Sequence, residues 1–271
     1  MKTYDKEIRV AKDLALRAWN AIAPIYDQIV QFERKGDGSP VTQADKRSNQ
    51  LIVRGLTEAF PLDSIVSEEE GVETRGDRAW YIDPIDGTKG FIKRNGHFAI
   101  HIGLCENQTP VCGVVYWPVA QEMYLGVVGD GAWRENSRGI FTLDASRNKR
   151  IENLVASSNG DFPTKELEST FRALGVTEYQ NTGSEGLRLL KIAEGIADIR
   201  MSECEKGAST WDVCAPQAIV EAAGGTVRNL DGSRIRYDLQ GRMGQRYVAA
   251  KNEDLVKRAI DQYNSESRES T

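Results

Sequence analysis

The sequence predicts an α/β protein, α+β in its N-terminal part, built as alternating layers of helices and sheets. Three observations predict it. Apolar residues recur at helical spacing from Ile8 to Val30, strict alternation takes over between residues 98 and 128, and beyond residue 150 strand and helix patterns succeed one another. A chain of 271 residues is long enough for two packed domains. The charged stretch Ser146-Arg147-Asn148-Lys149-Arg150 sets their boundary, giving units of 1–148 and 149–271.

In the opening helix Ile8, Ala11, Ala15, Ala18, Ile22 and Ile29 share one side, and Pro24 marks a point where it kinks or splits. The loop Lys35 to Pro40 breaks the pattern. A second helix starts after Thr42, whose hydroxyl caps it while Asp45, three residues on, completes a capping box; Leu51, Ile52 and Leu56 face the core and Pro61 ends the helix. Ile65-Val66 and Trp80-Tyr81-Ile82 read as strands that run into acidic residues. Phe98, Ile100, Ile102 and Leu104 alternate on one face of a β-meander that continues through Val111–Trp117 and Met123–Val128. In the second unit a strand begins at Val155, helices fall near 164–174, 184–195 and 211–223, and Asn252 caps a last helix to Tyr263, with a frayed polar tail beyond.

Composition narrows the function. Thirty-five Lys and Arg against forty Asp and Glu give a net charge of −5, with no basic block to neutralise a nucleic-acid backbone. No apolar run is long enough to cross a bilayer, and the first ten residues lack the apolar stretch of a signal peptide, so a cytoplasmic location is expected. Cys105, Cys112, Cys204 and Cys214 have no metal-ligand spacing and read as buried, reduced thiols.

Chemistry concentrates in Asp83-Pro84-Ile85-Asp86-Gly87-Thr88, at the end of a buried strand. Pro84 cannot join a ladder and Gly87 permits an unusual backbone, so both acids turn into one cleft, where oxygen donors suit magnesium. Every residue type in the run is also a turn former, and that plain alternative weakens only when Ser67-Glu68-Glu69-Glu70 and Trp211-Asp212 are added. Each of these has its own plain reading, a solvated turn or an acid at a helix N-terminus.

Together the three sites resemble the motifs of the inositol monophosphatase superfamily: Glu68-Glu69, then Asp83 to Thr88, then Trp211-Asp212 followed by Glu221-Ala222-Ala223-Gly224-Gly225, with one alanine more than the family pattern. Asp37 to Asp45 and Lys89 to Gly96 are similar to the 3′(2′),5′-bisphosphate nucleotidases within it. The resemblance implies an αβαβα sandwich of the inositol monophosphatase and fructose-1,6-bisphosphatase type. It implies a phosphate-monoester hydrolase with two or three Mg2+ ions held by Glu68, Asp83, Asp86, Asp212 and the carbonyl of Ile85, and inhibition by lithium. Asp45 and Thr88 resemble the pair that orients or deprotonates the attacking water. Backbone N–H groups of Gly87 and Thr88 hold the phosphate, and Arg188 stands where the nucleotidases carry a lysine, as a candidate for a second phosphate. The partner implied is a small phosphorylated molecule, 3′-phosphoadenosine 5′-phosphate first, then inositol and sugar phosphates. Neither a nucleic-acid polymer nor a membrane is expected, and a homodimer is allowed.

Other classes fit less well. His97 and His101 lie four apart but in a strand pattern without the glutamate of a zinc helix, so they read as surface or core residues. No G-x-S-x-G, P-loop or G-x-G-x-x-G occurs. A haloacid-dehalogenase-like site needs two aspartates two apart near the start of the fold, whereas Asp83 and Asp86 are three apart and lie deep in the chain. A catalytically silent metal- or phosphate-binding regulator is the remaining alternative, and the complete acidic set argues against it.

Overall fold

The computed structural model describes residues 3–36, 38–158, 165–202, 208–239 and 246–269. Helix α1 (Asp5–Tyr26) leads through the hairpin β1 (Phe32–Arg34) and β2 (Pro40–Thr42) to α2 (Gln43–Ala59). Strands β3 (Ser64–Ser67), β4 (Gly71–Glu73) and β5 (Arg78–Asp86) follow, then the short helix α3 (Thr88–Lys93). The strands β6 (Ala99–Glu106), β7 (Thr109–Trp117), β8 (Glu122–Val127), β9 (Gly131–Asn136) and β10 (Gly139–Thr142) complete an eight-stranded sheet in the order β10-β9-β8-β7-β6-β5-β3-β4.

The second half interleaves β11 (Leu154–Ser158), α4 (Lys165–Ala173), β12 (Val176–Asn181), α5 (Glu185–Ala193), β13 (Ile199–Ser202), α6 (Thr210–Ala222), β14 (Thr226–Asn229), β15 (Tyr247–Ala250) and α7 (Glu253–Glu269). Its five strands run β12-β11-β13-β15-β14. Three apolar clusters separate five layers. The first joins α1 and α2 to one face of the large sheet through residues such as Ile22, Ile52, Trp80 and Ile102. The second packs α5 and α6 between the two sheets, and the third covers the far face of the small sheet with α4 and α7. The layering is αβαβα.

One local feature sets the middle layer. Gly103, Gly113 and Gly126 are cross-strand neighbours on β6, β7 and β8. A Cβ on them would lie 2.6 Å from Ala215 N, 2.3 Å from Ala215 O and 2.6 Å from Ile219 Cα, respectively. This glycine groove lets the α6 backbone rest on the sheet, which fixes where the start of α6 arrives.

Several expectations change in detail. The first helix runs Asp5–Tyr26 rather than Ile8–Val30; Pro24 sits inside it without splitting it, and Ile29 is exposed. Thr42 and Asp45 form the expected capping box, worth about 1 kcal/mol. The hairpin β1–β2, helix α3 and the strands β4, β9, β10, β12, β13, β14 and β15 have no named counterpart in the sequence reading. Asn252 caps α7 by accepting from Leu255 N, but the helix continues past Tyr263 to Glu269, so the tail is not frayed there. Cys105, Cys112 and Cys214 are buried free thiols, while Cys204 and Asp37 lie outside the described residues. No helix among the described residues is long and apolar enough to cross a membrane.

Candidate active site

Strands β3 and β5 are parallel neighbours: Ser67 pairs in register with Ile82, and Glu68 N donates to Ile82 O. Glu68, just past the end of β3, therefore lies beside Asp83, which is still paired in β5 with His101 of β6. Asp83 and Asp86 are buried, and the glycine groove delivers Asp212, in the first turn of α6, opposite them. One carboxylate oxygen from each of Asp83, Asp86 and Asp212 lies within 4.8 Å of the others.

Such crowding has an electrostatic cost. Burial, then the charges of Glu68, Asp86 and Asp212, push the Asp83 carboxyl well above its usual range; burial, then Asp86 and Glu68, do the same to Asp212. Glu68 is raised by burial too, against the pull of Lys35. The Lys35 ammonium lies 2.7 Å from Glu68 Oε1 and 2.6 Å from Glu69 Oε1. The donors gathered here are all hard oxygens, with no thiol among them, and their charge exceeds what one lysine offsets. That donor set fits magnesium.

Asp86 is anchored from the second half of the chain. Its Oδ2 accepts from Ser184 Oγ and from Gly186 N at 2.7 Å. His101 Nε2 lies 3.2 Å from the same oxygen. Burial lowers the pKa of the His101 imidazole, against the Asp86 charge and the backbone of Trp211 and Asp212. Asp83 Oδ1 accepts from Ile85 N at 3.0 Å, within the irregularity that shifts the β5–β6 register between Asp83 and Asp86.

Asp45 is fully buried, and Thr42 N and Oγ1 hold its Oδ2 at 2.7 and 2.5 Å. Its Oδ1 faces Thr88 Oγ1 at 3.1 Å, and that hydroxyl is also 3.3 Å from the Ile85 carbonyl. Burial raises the Asp45 carboxyl above its usual value, against its hydrogen bonds from Thr42. Gly87, at φ 93°, starts α3 in the left-handed region, and a Cβ there would lie 2.5 Å from His97 O.

Arg188 is neither exposed nor open as a free fork. Its Nε donates to Glu185 Oε2 at 3.1 Å, its Nη2 donates to the same oxygen, and its Nη1 donates to Thr182 O at 2.9 Å. Arg200 holds Glu185 from the other side at 3.0 and 3.1 Å, and the Tyr247 hydroxyl adds a further bond. Burial opposes ionisation of Glu185, but the Arg188 and Arg200 charges win and hold its carboxyl well below the usual range.

The structure thus brings Glu68, Asp83, Asp86 and Asp212 together, sets Asp45 against Thr88 beside them, and puts Arg188 in a separate buried network. The sequence reading missed Lys35, Ser184, Arg200 and Tyr247, and set His101 aside. A signal for His101 was available: it shares its strand face with Ala99, Gly103 and Cys105, small residues that announce a helix packed against them.

Fold and site together are those of a phosphoric monoester hydrolase. The chain belongs to the inositol monophosphatase family, whose sequence model matches residues 3–269. It is 37% identical over 232 residues to the 3′(2′),5′-bisphosphate nucleotidase CysQ of Salmonella typhimurium, covering 83% of this chain and 91% of that one. It is 31% identical over 235 residues to the Nus factor SuhB of the same species, covering 83% and 85%. Among solved structures, an inositol monophosphatase from Zymomonas mobilis superposes with a TM-score of 0.78 at 26% identity, over 97% of this chain and all of that one.

Proposed function

We propose that this protein is a magnesium-dependent 3′(2′),5′-bisphosphate nucleotidase that removes the 3′-phosphate of 3′-phosphoadenosine 5′-phosphate, or of its sulfated relative. The observation that carries the reading is the cluster of buried Asp83 and Asp86 with half-buried Asp212, in a chain 37% identical to a bisphosphate nucleotidase over most of its length. Glu68, Asp83, Asp86, Asp212 and the Ile85 carbonyl would hold the cations. When bound, divalent cations supply water activation and offset charge on the leaving oxygen.

The chain's own groups do the rest. Thr88 Oγ1, placed between Asp45 Oδ1 and the Ile85 carbonyl, orients the attacking water, and Asp45 takes its proton. The raised Asp45 carboxyl is a better proton acceptor than an ordinary aspartate. Backbone N–H groups of Gly87 and Thr88 hold phosphate oxygens without a further cationic side chain. Arg188 keeps one hydrogen on each terminal nitrogen beyond those spent on Glu185 and Thr182, and we assign these to the second, non-reacting phosphate. We also read 1–148 and 149–271 as two units that meet at this cleft.

A phosphate-release panel tests the substrate assignment. The expected order is 3′-phosphoadenosine 5′-phosphate well ahead of inositol 1-phosphate and fructose 1,6-bisphosphate. Preference for inositol 1-phosphate would replace it with an inositol monophosphatase.

A further inference from the structure

Buried histidines usually serve the core, and His101, with no exposed surface at all, invites that reading. Its surroundings argue otherwise. On β6 it is the in-register partner of Asp83 across β5, so the strand pairing itself holds it at the acidic cluster. Its Nε2 is 3.2 Å from Asp86 Oδ2, the oxygen that already accepts from Ser184 Oγ and Gly186 N. Neither ring nitrogen makes a well-aligned hydrogen bond in the described residues, although the backbone of Trp211 and Asp212 also faces the ring. A fully buried imidazole left in that state is a net cost to the fold, which packing alone does not require. The ring cannot swing aside. Gly186 of α5 lies against it so closely that a Cβ there would be 2.1 Å from Nε2.

We propose that His101 is a positioning residue: it donates from Nε2 to Asp86 Oδ2 and so, with Ser184 and Gly186, commits that oxygen to the protein and leaves Oδ1 for the cation. This inference rests on the reading that Asp86 is a cation ligand. The 3.2 Å contact is within reach but off the hydrogen-bond line. Donors from β6 and from the start of α5 then meet on one oxygen, which ties the orientation of a ligand from the first half of the chain to an element of the second. Outer hydrogen-bond partners of this kind hold ligands in orientation, and their loss weakens metal binding by roughly 10- to 100-fold.

The test is a titration of the full chain with Mn2+ alone, without substrate, in which free Mn2+ is read by electron paramagnetic resonance. His101→Leu should raise the Kd by roughly 10-fold or more. His101→Gln, whose amide N–H reaches the same oxygen, should stay within about threefold of wild type. Should the leucine variant fail to fold by circular dichroism, His101→Asn, too short to reach Asp86, takes its place with the same expected loss. An unchanged Kd in the loss variant overturns the proposal, and so does a glutamine variant as weak as the leucine one, because the donor would then not matter. A wild-type chain that binds no Mn2+ overturns instead the metal reading on which the proposal rests.

Discussion

Two clusters of buried charge lie in the middle of this molecule, and they are built on opposite principles. Around Glu185, one carboxylate meets Arg188, Arg200 and the Tyr247 hydroxyl, and each of its oxygens accepts from at least two donors. Around Asp83, carboxylates face one another, and the described side chains supply one ammonium, Lys35, at the rim. The first cluster is complete as it folds. The second asks for positive charge from outside. A buried carboxylate ringed by arginines carries its own counter-charge, whereas carboxylates gathered at a cleft with few cationic partners are the pattern from which a cation site is proposed. The pKa directions say the same: the Glu185 carboxyl is held low, while the Asp83 and Asp212 carboxyls are pushed well up.

The sharpest break between the two clusters comes from neutralising one member of each. Asp83→Asn should lower kcat by about 10³-fold or more, because the carboxylate charge proposed to hold the cations is lost while the shape is kept. Without divalent cations the same variant should melt no lower than wild type, since a repelling charge has been removed. A cation-free variant that unfolds well below wild type would show the acidic cluster to be structural.

Glu185→Gln should behave in the opposite way. It leaves Arg188 and Arg200, each about nine-tenths buried, without their counter-charge, and denaturant unfolding should show a loss of about 3 kcal/mol. The sign of its pH dependence is fixed by the lowered carboxyl. The stability Glu185 contributes is present above the unfolded value of about 4.3 and is lost as pH falls through the lower folded value. The gap between wild type and variant should therefore be full near pH 7 and narrow below about pH 4. A gap that widens in acid would mean that the arginines do not hold Glu185 ionised.

Arg188→Ala gives the smallest and most diagnostic effect. If its outer edge binds the second phosphate, kcat/KM on 3′-phosphoadenosine 5′-phosphate should fall by about 10- to 100-fold, with little change on inositol 1-phosphate. Equal losses on both substrates would assign Arg188 wholly to the Glu185 network.

The contrast also marks what was legible in the sequence. The acidic cluster announced itself because three of its members close strands or open a helix within short motifs, and Thr42 with Asp45 is a local capping pattern. The Glu185 network was half visible: the pair with Arg188 is one helical turn, but Arg200 and Tyr247 join it only through the small sheet. Short or exposed elements escaped for a physical reason. Three residues of β1 or β2 are too few to show a period, and β12 is exposed along most of its length, so it carries no alternation. The last turns of α7 are polar, without an apolar stripe and with Asn264, Ser265 and Ser267 of modest helix propensity, so they extend the helix unannounced.

The open cluster around Asp83 is the proposed cation site for phosphate-monoester hydrolysis. It is tested most directly by stripping the enzyme with excess EDTA, following phosphate release from 3′-phosphoadenosine 5′-phosphate, and then adding Mg2+ beyond the chelator. Release should stop in EDTA and return with Mg2+, and it should do neither in Asp83→Asn. Undiminished turnover in excess EDTA would contradict the account.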